Sequence, residues 1–339
     1  MNIENRLTRQ AEKIRFSGNL SIYRQGQNIY GQSFGYRDQA NKILNDADTR
    51  FGMASGTKLF TALGILKLIA DGVLKLSTTV FDIFGRDLGF VHPEASIGSL
   101  LSHRSGIYDY YDEEVITDFD NFTVEIPWCQ LATPSDYLPL FQSRPMKFNP
   151  LERVSYSNGG YVFLGIIIEK LTGQLYRSYI TDKVFKLANM AFSGFFAFNE
   201  LPANTANGYI STNAGSKTNI YQLPIRGGGD GGAYTNSADM LKLWTQLFAF
   251  EVIPEEILSR LLHKEVEIWP GQDYGLGLYL SRFANFDSCY TSGCDAGVGC
   301  ISLYVPEIEL NINVFSNLTD GAELMMDFII KNSQDLVAV

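Results

Sequence analysis

The sequence predicts an α+β protein: an antiparallel sheet built from both ends of the chain, with flanking helices and an inserted, mostly helical subdomain. Three observations predict it. The front of the 339-residue chain reads as helix, hairpin and helix. The last third reads as successive antiparallel strands and a closing helix. The stretch between carries short helical patterns among loops containing Pro, Asn and Tyr. Residues 1–80 and 227–339 are therefore expected to form one discontinuous sheet-bearing part, and residues 81–226 the insert.

Each element has its own signal. Ile3, Leu7, Ala11 and Ile14 recur at helical spacing and predict an amphipathic helix over 3–15. Extended runs at 20–24 and 29–34 flank Gln25-Gly26-Gln27-Asn28, a hairpin signal. Residues 55–72 carry the strongest helical pattern, with Leu59, Phe60, Leu63, Leu66 and Ile69 on one face and Gly72 placed to end it. Helical patterns recur at 97–103 and 160–171. Strands are expected at 274–280, 286–291, 298–304 and 310–315. A last helix begins near Asp320, with Asp320 and Glu323 as a capping pair.

Composition narrows the function. Hydrophobic residues make up 45% and charged residues 19%, enough for a packed core and against disorder. The net charge is −10, from 27 basic and 37 acidic residues. With no basic run, nucleic acid and anionic membranes are poor partners. Four cysteines are too few for a disulfide scaffold, and three histidines show no metal-ligand spacing, so no metal is expected. No secretory signal opens the chain, and no stretch approaches the roughly twenty apolar residues of a membrane helix. The expected location is the cytoplasm, or outside it if an export signal has been trimmed.

Three motifs can carry chemistry. Ser55-Gly56-Thr57-Lys58 stands at the start of the strongest helix, where free N–H groups and the helix dipole favour developing negative charge. Lys58 returns to the same face one turn later, within reach of the Ser55 oxygen. To act as a neutral base it must drop roughly 3 pKa units, about 4–5 kcal/mol, a shift expected of a buried, cation-rich pocket. The bland reading is an N-cap serine and a surface lysine, and on the order of one Ser-x-x-Lys arises by chance in such a chain.

Tyr156-Ser157-Asn158 enters the second helical pattern. A phenol beside a nucleophile can relay a proton, and an amide can hold a substrate carbonyl. Tyr234-Thr235-Asn236 has the same form, also before a helix. Tyr290-Thr291-Ser292-Gly293-Cys294 ends a strand, where small residues let the backbone approach a bound acyl group. By itself it reads as a hairpin turn.

In this order the three motifs resemble the serine β-lactamase and penicillin-binding-protein superfamily, in its class C β-lactamase-like branch of esterases, D-aminopeptidases and D-Ala-D-Ala carboxypeptidases. The resemblance extends to Phe51-Gly52-Met53-Ala54, Leu100-Leu101-Ser102-His103-Arg104-Ser105-Gly106, residues 227–239 and Tyr274-Gly275-Leu276-Gly277. It implies a β-lactamase/transpeptidase-like fold and a cofactor-free hydrolase. In it Ser55 is acylated, Lys58 and Tyr156 share its proton, and Asn158, Thr291, Ser292, Gly293 and Cys294 meet the substrate. It further implies an oxyanion hole from the Ser55 and Cys294 N–H groups and a structural His103. The family's third motif usually opens with Lys or His, where this chain has Thr291. That departure points to small uncharged esters or amides over β-lactams and D-Ala-terminated peptides, unless Arg226 substitutes. The alternatives are a true β-lactamase or carboxypeptidase, or a binding homologue that has lost turnover.

Overall fold

The computed structural model describes residues 3–337. Helix α1 (Ile3–Lys13) leads into a hairpin of β1 (Gly18–Arg24) and β2 (Gln27–Phe34). Helix α2 (Lys58–Ala70) follows a 3-10 turn at Ala54–Thr57. Next come α3 (Asn158–Thr172) and α4 (Ser237–Phe248). The last third supplies β3 (Val266–Trp269), β4 (Gln272–Tyr274), β5 (Tyr279–Phe283), β6 (Phe286–Asp295), β7 (Val298–Val305), β8 (Leu310–Ser316) and helix α5 (Gly321–Lys331).

The strands form one antiparallel sheet in the order β2-β1-β8-β7-β6-β5-β4-β3. The pairing of β1 with β8, from Gly18 opposite Ser316 to Arg24 opposite Leu310, joins the two ends of the chain. One face packs on α1 and α5 through Leu20, Ile22, Leu303, Val305, Ile312 and Val314, which meet Leu7, Ala11, Met325 and Ile329. Strand alternation sends Asn311 and Asn313 to the opposite face. Buried there, Asn313 accepts from Ser302, which accepts from the Trp244 indole, so α4 is docked by a satisfied polar network. The larger core gathers α2, α3 and the short helices around them, with Phe51, Cys300 and Phe315 reaching it from the sheet side.

Four details depart from the sequence-based expectations. The run at 274–280 is split, because Gly275 and Gly277 leave the strand to pass against other backbone. A Cβ on Gly275 would lie 2.3 Å from the Leu261 carbonyl, and Gly277, at φ 107°, crosses α2 at Ala62. Strand β3 has only four residues, too few to declare an alternation. The insert carries a hairpin at Tyr209–Thr212 and Gly215–Thr218. Finally, Asp320 precedes α5 with near-helical backbone (φ −95°, ψ −1°) and makes no side-chain cap. A capping side chain needs extended backbone at that position.

Candidate active site

Ser55 lies in the 3-10 turn Ala54–Thr57, entered through Ala54 at φ 43°. A non-glycine residue there is strained and persists only where its surroundings hold it. Strand β6 supplies part of that hold. The Thr291 hydroxyl donates to the Gly56 carbonyl at 3.0 Å, and the Cys300 thiol, on neighbouring β7, meets the Met53 carbonyl at 3.0 Å. Gly293 passes so close that a Cβ would lie 2.2 Å from the Met53 carbonyl oxygen and 2.6 Å from the Ser55 nitrogen. Only glycine allows that approach.

Lys58 is buried, and its ammonium reaches Ser55 Oγ at 3.0 Å, Asn158 Oδ1 at 2.7 Å and the Asp230 carbonyl at 2.7 Å. Three acceptors match the three donors of a charged lysine. Loss of one proton leaves two donors for Asn158 and Asp230 and a lone pair facing the serine. Burial pulls the Lys58 pKa below an ordinary lysine's. The neighbourhood is acidic, not cation-rich as the sequence argument required: Asp230, Glu113, Asp109 and Asp295 oppose the downward shift. Desolvation outweighs the carboxylates because the amine has lost its water.

Tyr156 is buried beside this pair. Its hydroxyl interacts with Ser55, and its ring centroid lies 4.8 Å from Lys58 Nζ. The ring stacks on His103 at 4.5 Å and on Trp269 at 5.5 Å. Burial drives its pKa well above that of a free phenol, so the proton stays on oxygen. His103 Nδ1 accepts the Ser157 N–H at 3.0 Å, which puts the ring proton on Nε2. Burial, with Lys58 nearby, lowers the His103 pKa well below the usual value, so the ring is a neutral shelf under Tyr156.

Other predicted residues fall differently. Both polar ends of Asn158 are occupied, Oδ1 by Lys58 and Nδ2 by the Tyr111 carbonyl at 2.8 Å, so the residue positions the lysine while lining the cavity. Thr291 is buried behind the nucleophile turn, its hydroxyl committed to Gly56, not turned to a substrate. Ser292, Gly293 and Cys294 do line an open groove. The Cys294 thiol meets the Thr319 carbonyl at 3.4 Å.

Two depressions meet at Ser55. One is walled by aromatic and aliphatic side chains including Tyr110, Trp128, Phe196 and Ile225. The other is the groove over β6 and α5, edged by Tyr156, Trp269, Tyr279 and Tyr290. Sequence reasoning missed Asp109, Tyr110, Tyr111, Glu113, Asp230 and Asp295. The run Gly227-Gly228-Gly229-Asp230-Gly231-Gly232 was the available signal for Asp230, since six residues with five glycines mark a close backbone approach. The aromatic and acidic residues of 109–113 sit in a loop without periodicity and gave none.

The family model described as Beta-lactamase matches residues 5–330. The putative penicillin-binding protein PbpX of Bacillus subtilis is 26% identical over 326 residues, spanning 94% of this chain and 75% of that one. Other curated relatives are longer, and the chain spans 38% to 59% of their length. The crystal structure of a penicillin-binding protein from Bacillus halodurans superposes with a TM-score of 0.89 at 38% identity, covering 95% of this chain and 98% of that one. The D-amino acid amidase of Ochrobactrum anthropi SV3 shares the fold, with a TM-score of 0.80 at 21% identity over 97% and 99% of the two chains. Among the described residues, no helix is long and apolar enough to cross a membrane.

Proposed function

Because the chain belongs to the β-lactamase family, we propose that it is a serine hydrolase forming an acyl-enzyme on Ser55 and acting on small esters or amides. The observation that carries this reading is the buried Lys58 amine 3.0 Å from Ser55 Oγ. In the first half-reaction the Ser55 oxygen bonds to the substrate carbonyl carbon while its proton passes to Lys58. The carbonyl oxygen takes up negative charge beside the N–H groups of Ser55 and Cys294, each such donor being worth roughly 10²–10³ in rate. Tyr156 then protonates the departing nitrogen or oxygen as its bond to carbon breaks, and recovers a proton from Lys58. Water cleaves the Ser55 ester, so the sum is substrate plus water giving an acid and an amine or alcohol.

Intact-protein mass after a fluorophosphonate, and separately after a penicillin, tests this. One adduct on Ser55, absent from Ser55→Ala, is the expected result; labelling of another serine in an active Ser55→Ala protein would sink it. Lys58→Ala and Tyr156→Phe should each lose roughly 10²–10⁴-fold, and the double variant far less than the product.

The naming of relatives as penicillin-binding proteins favours a second reading, in which penicillin or a D-Ala-D-Ala peptide is the acyl donor. Such substrates carry a carboxylate. The site offers Thr291 where the family usually has a cation, and Arg226 is already held by Glu200 at 2.8 Å. Short-chain nitrophenyl esters should therefore exceed nitrocefin in kcat/KM. Faster nitrocefin turnover would move the assignment to this second reading.

A further inference from the structure

When Tyr156 gives its proton to a leaving group it becomes a phenolate, and a buried charge needs a partner. The third motif holds no cation, and Thr291 spends its hydroxyl on Gly56. Lys58 lies 4.8 Å from the centroid of the Tyr156 ring, with its ammonium turned to Ser55, Asn158 and Asp230.

A second phenol reaches the Tyr156 hydroxyl. Tyr279 opens β5, opposite Tyr290 on β6 and Tyr274 on β4. Its buried ring is held between Trp269 and Tyr290, nearly parallel to both, at centroid distances of 5.7 Å and 4.9 Å. The Tyr274 ring packs against it edge-on at 5.0 Å. That clamp fixes the ring, and its hydroxyl meets Tyr156. The neighbouring phenols turn elsewhere: Tyr290 donates to Gln272 Oε1 at 2.8 Å, and Tyr274 pairs with Tyr161 at 3.4 Å. Burial drives the Tyr279 pKa well above that of a free phenol, so it keeps its own proton. Tyr156 and Tyr279 both edge the open groove, and neither lines the aromatic cavity.

Resting on the Ser55 acyl-enzyme reading, we propose that Tyr279 is the positioning residue for the proton donor Tyr156, doing with a neutral hydroxyl what a third-motif cation would do with charge. A hydroxyl rotates to suit its partner. The Tyr156 proton passes to the leaving oxygen or nitrogen as that atom's bond to the acyl carbon breaks. The Tyr279 O–H then turns to the phenolate oxygen and holds it by a charge-assisted hydrogen bond. Tyr279 gives up no proton, and Lys58 returns one to Tyr156. The arrangement stabilises the phenolate without presenting a cation to the substrate, which suits the uncharged esters and amides assigned to the site. Its effect falls on bonds whose leaving group needs a proton.

Tyr279→Phe keeps the stacked ring and removes the hydroxyl. The test compares 4-nitrophenyl butyrate with benzyl butyrate, which share an acyl group and differ in what departs. Nitrophenolate leaves without a proton, whereas an alkoxide does not. For both, kcat/KM reports acylation alone, and their ratio within one preparation is independent of the folded fraction. In Tyr279→Phe the benzyl ester should lose roughly 10–100-fold, the worth of a hydrogen bond to a charged group, while the nitrophenyl ester loses less than about threefold. Added to Tyr156→Phe, the same change should cost the benzyl ester less than about threefold, because the two phenols act as one unit. Equal losses on both esters, no loss on the benzyl ester, or a multiplicative loss in the double variant each overturn the inference and leave the acyl-enzyme reading intact. Wild-type protein that takes the fluorophosphonate on Ser55 but cleaves no benzyl ester has no acid for Tyr279 to assist, and overturns it as well. Neither labelling nor turnover of either ester would remove the Ser55 reading, and this inference with it.

Discussion

The chain contains two Tyr-x-Asn motifs, each leading into a helix, and the structure uses them for opposite ends. In Tyr156-Ser157-Asn158 the cap of α3 is the serine, whose hydroxyl accepts the Gly160 N–H. Asn158 is thereby left free to hold Lys58. In Tyr234-Thr235-Asn236 the asparagine is itself the cap of α4, accepting the Asp239 N–H at 2.9 Å. Its side chain is spent on the backbone, and its buried Nδ2 has no hydrogen-bond partner among the described residues. A shift of the helix start by one residue separates a positioning group from a structural one. The tyrosines part in the same way. Tyr156 lies against Ser55 and Lys58, whereas Tyr234 pairs with Gly52 in a two-residue bridge and packs on Phe196, on the wall of the aromatic cavity.

The largest expected effect breaks or confirms that division directly. Tyr156→Phe should lower kcat/KM by roughly 10²–10⁴-fold, the usual worth of general acid–base help, while Tyr234→Phe should stay within about threefold. The reverse result would mean that the second motif carries the proton. Next in size, Asn158→Ala removes an acceptor from a buried amine and should cost on the order of tenfold or more in kcat. Its acid limb should also move, because a lysine with one acceptor fewer gives up its proton more readily. Rate profiles against pH for the wild-type protein and the variant would read the displacement, and a profile that moves alkaline contradicts the role given to Asn158.

A third test addresses Asp109, whose carboxylate accepts the N–H groups of Asn158 and Gly159 at the start of α3. Burial lifts its pKa from 3.8 to about 7 despite those bonds. Between those values the folded protein holds a proton that the unfolded chain releases, so this residue makes stability fall as pH rises through the window. The slope is at most about 1.4 kcal/mol per pH unit. Urea unfolding at several pH values should show the wild type losing ground to Asp109→Asn as pH increases; a constant difference would exclude the shift. The smallest effect belongs to the second motif. Asn236→Ala should cost about 1 kcal/mol of stability, the worth of an N-cap, with kcat/KM hardly changed.

The site was legible in the sequence where its members share one helix start. Ser55 and Lys58 stand one turn apart, and Tyr156, Ser157 and Asn158 open α3, so periodicity and capping rules reach them. Thr291 shows the limit of such reasoning. Its place in the third motif was readable, but strand alternation turns its hydroxyl to Gly56, and that depends on which face of β6 meets the nucleophile turn. Much of the fold was visible for the same local reasons. What escaped was short or irregular, as with β3 and the break at Gly275–Gly277.

The sequence by itself determined that both chain ends build an antiparallel sheet, that a serine stands in the turn leading into the strongest helix, and that a lysine follows it by three residues. These are properties of neighbours along the chain, set by side-chain period and by the hydrogen-bonding needs of helix ends. Only the tertiary structure decided which Tyr-x-Asn meets Ser55, that Lys58 loses its water among four carboxylates, and that Thr291 turns its hydroxyl to Gly56. Those outcomes depend on desolvation and on charges brought together from distant positions, Lys58 and Asp230 among them. Burial and through-space Coulomb terms have no period along a sequence.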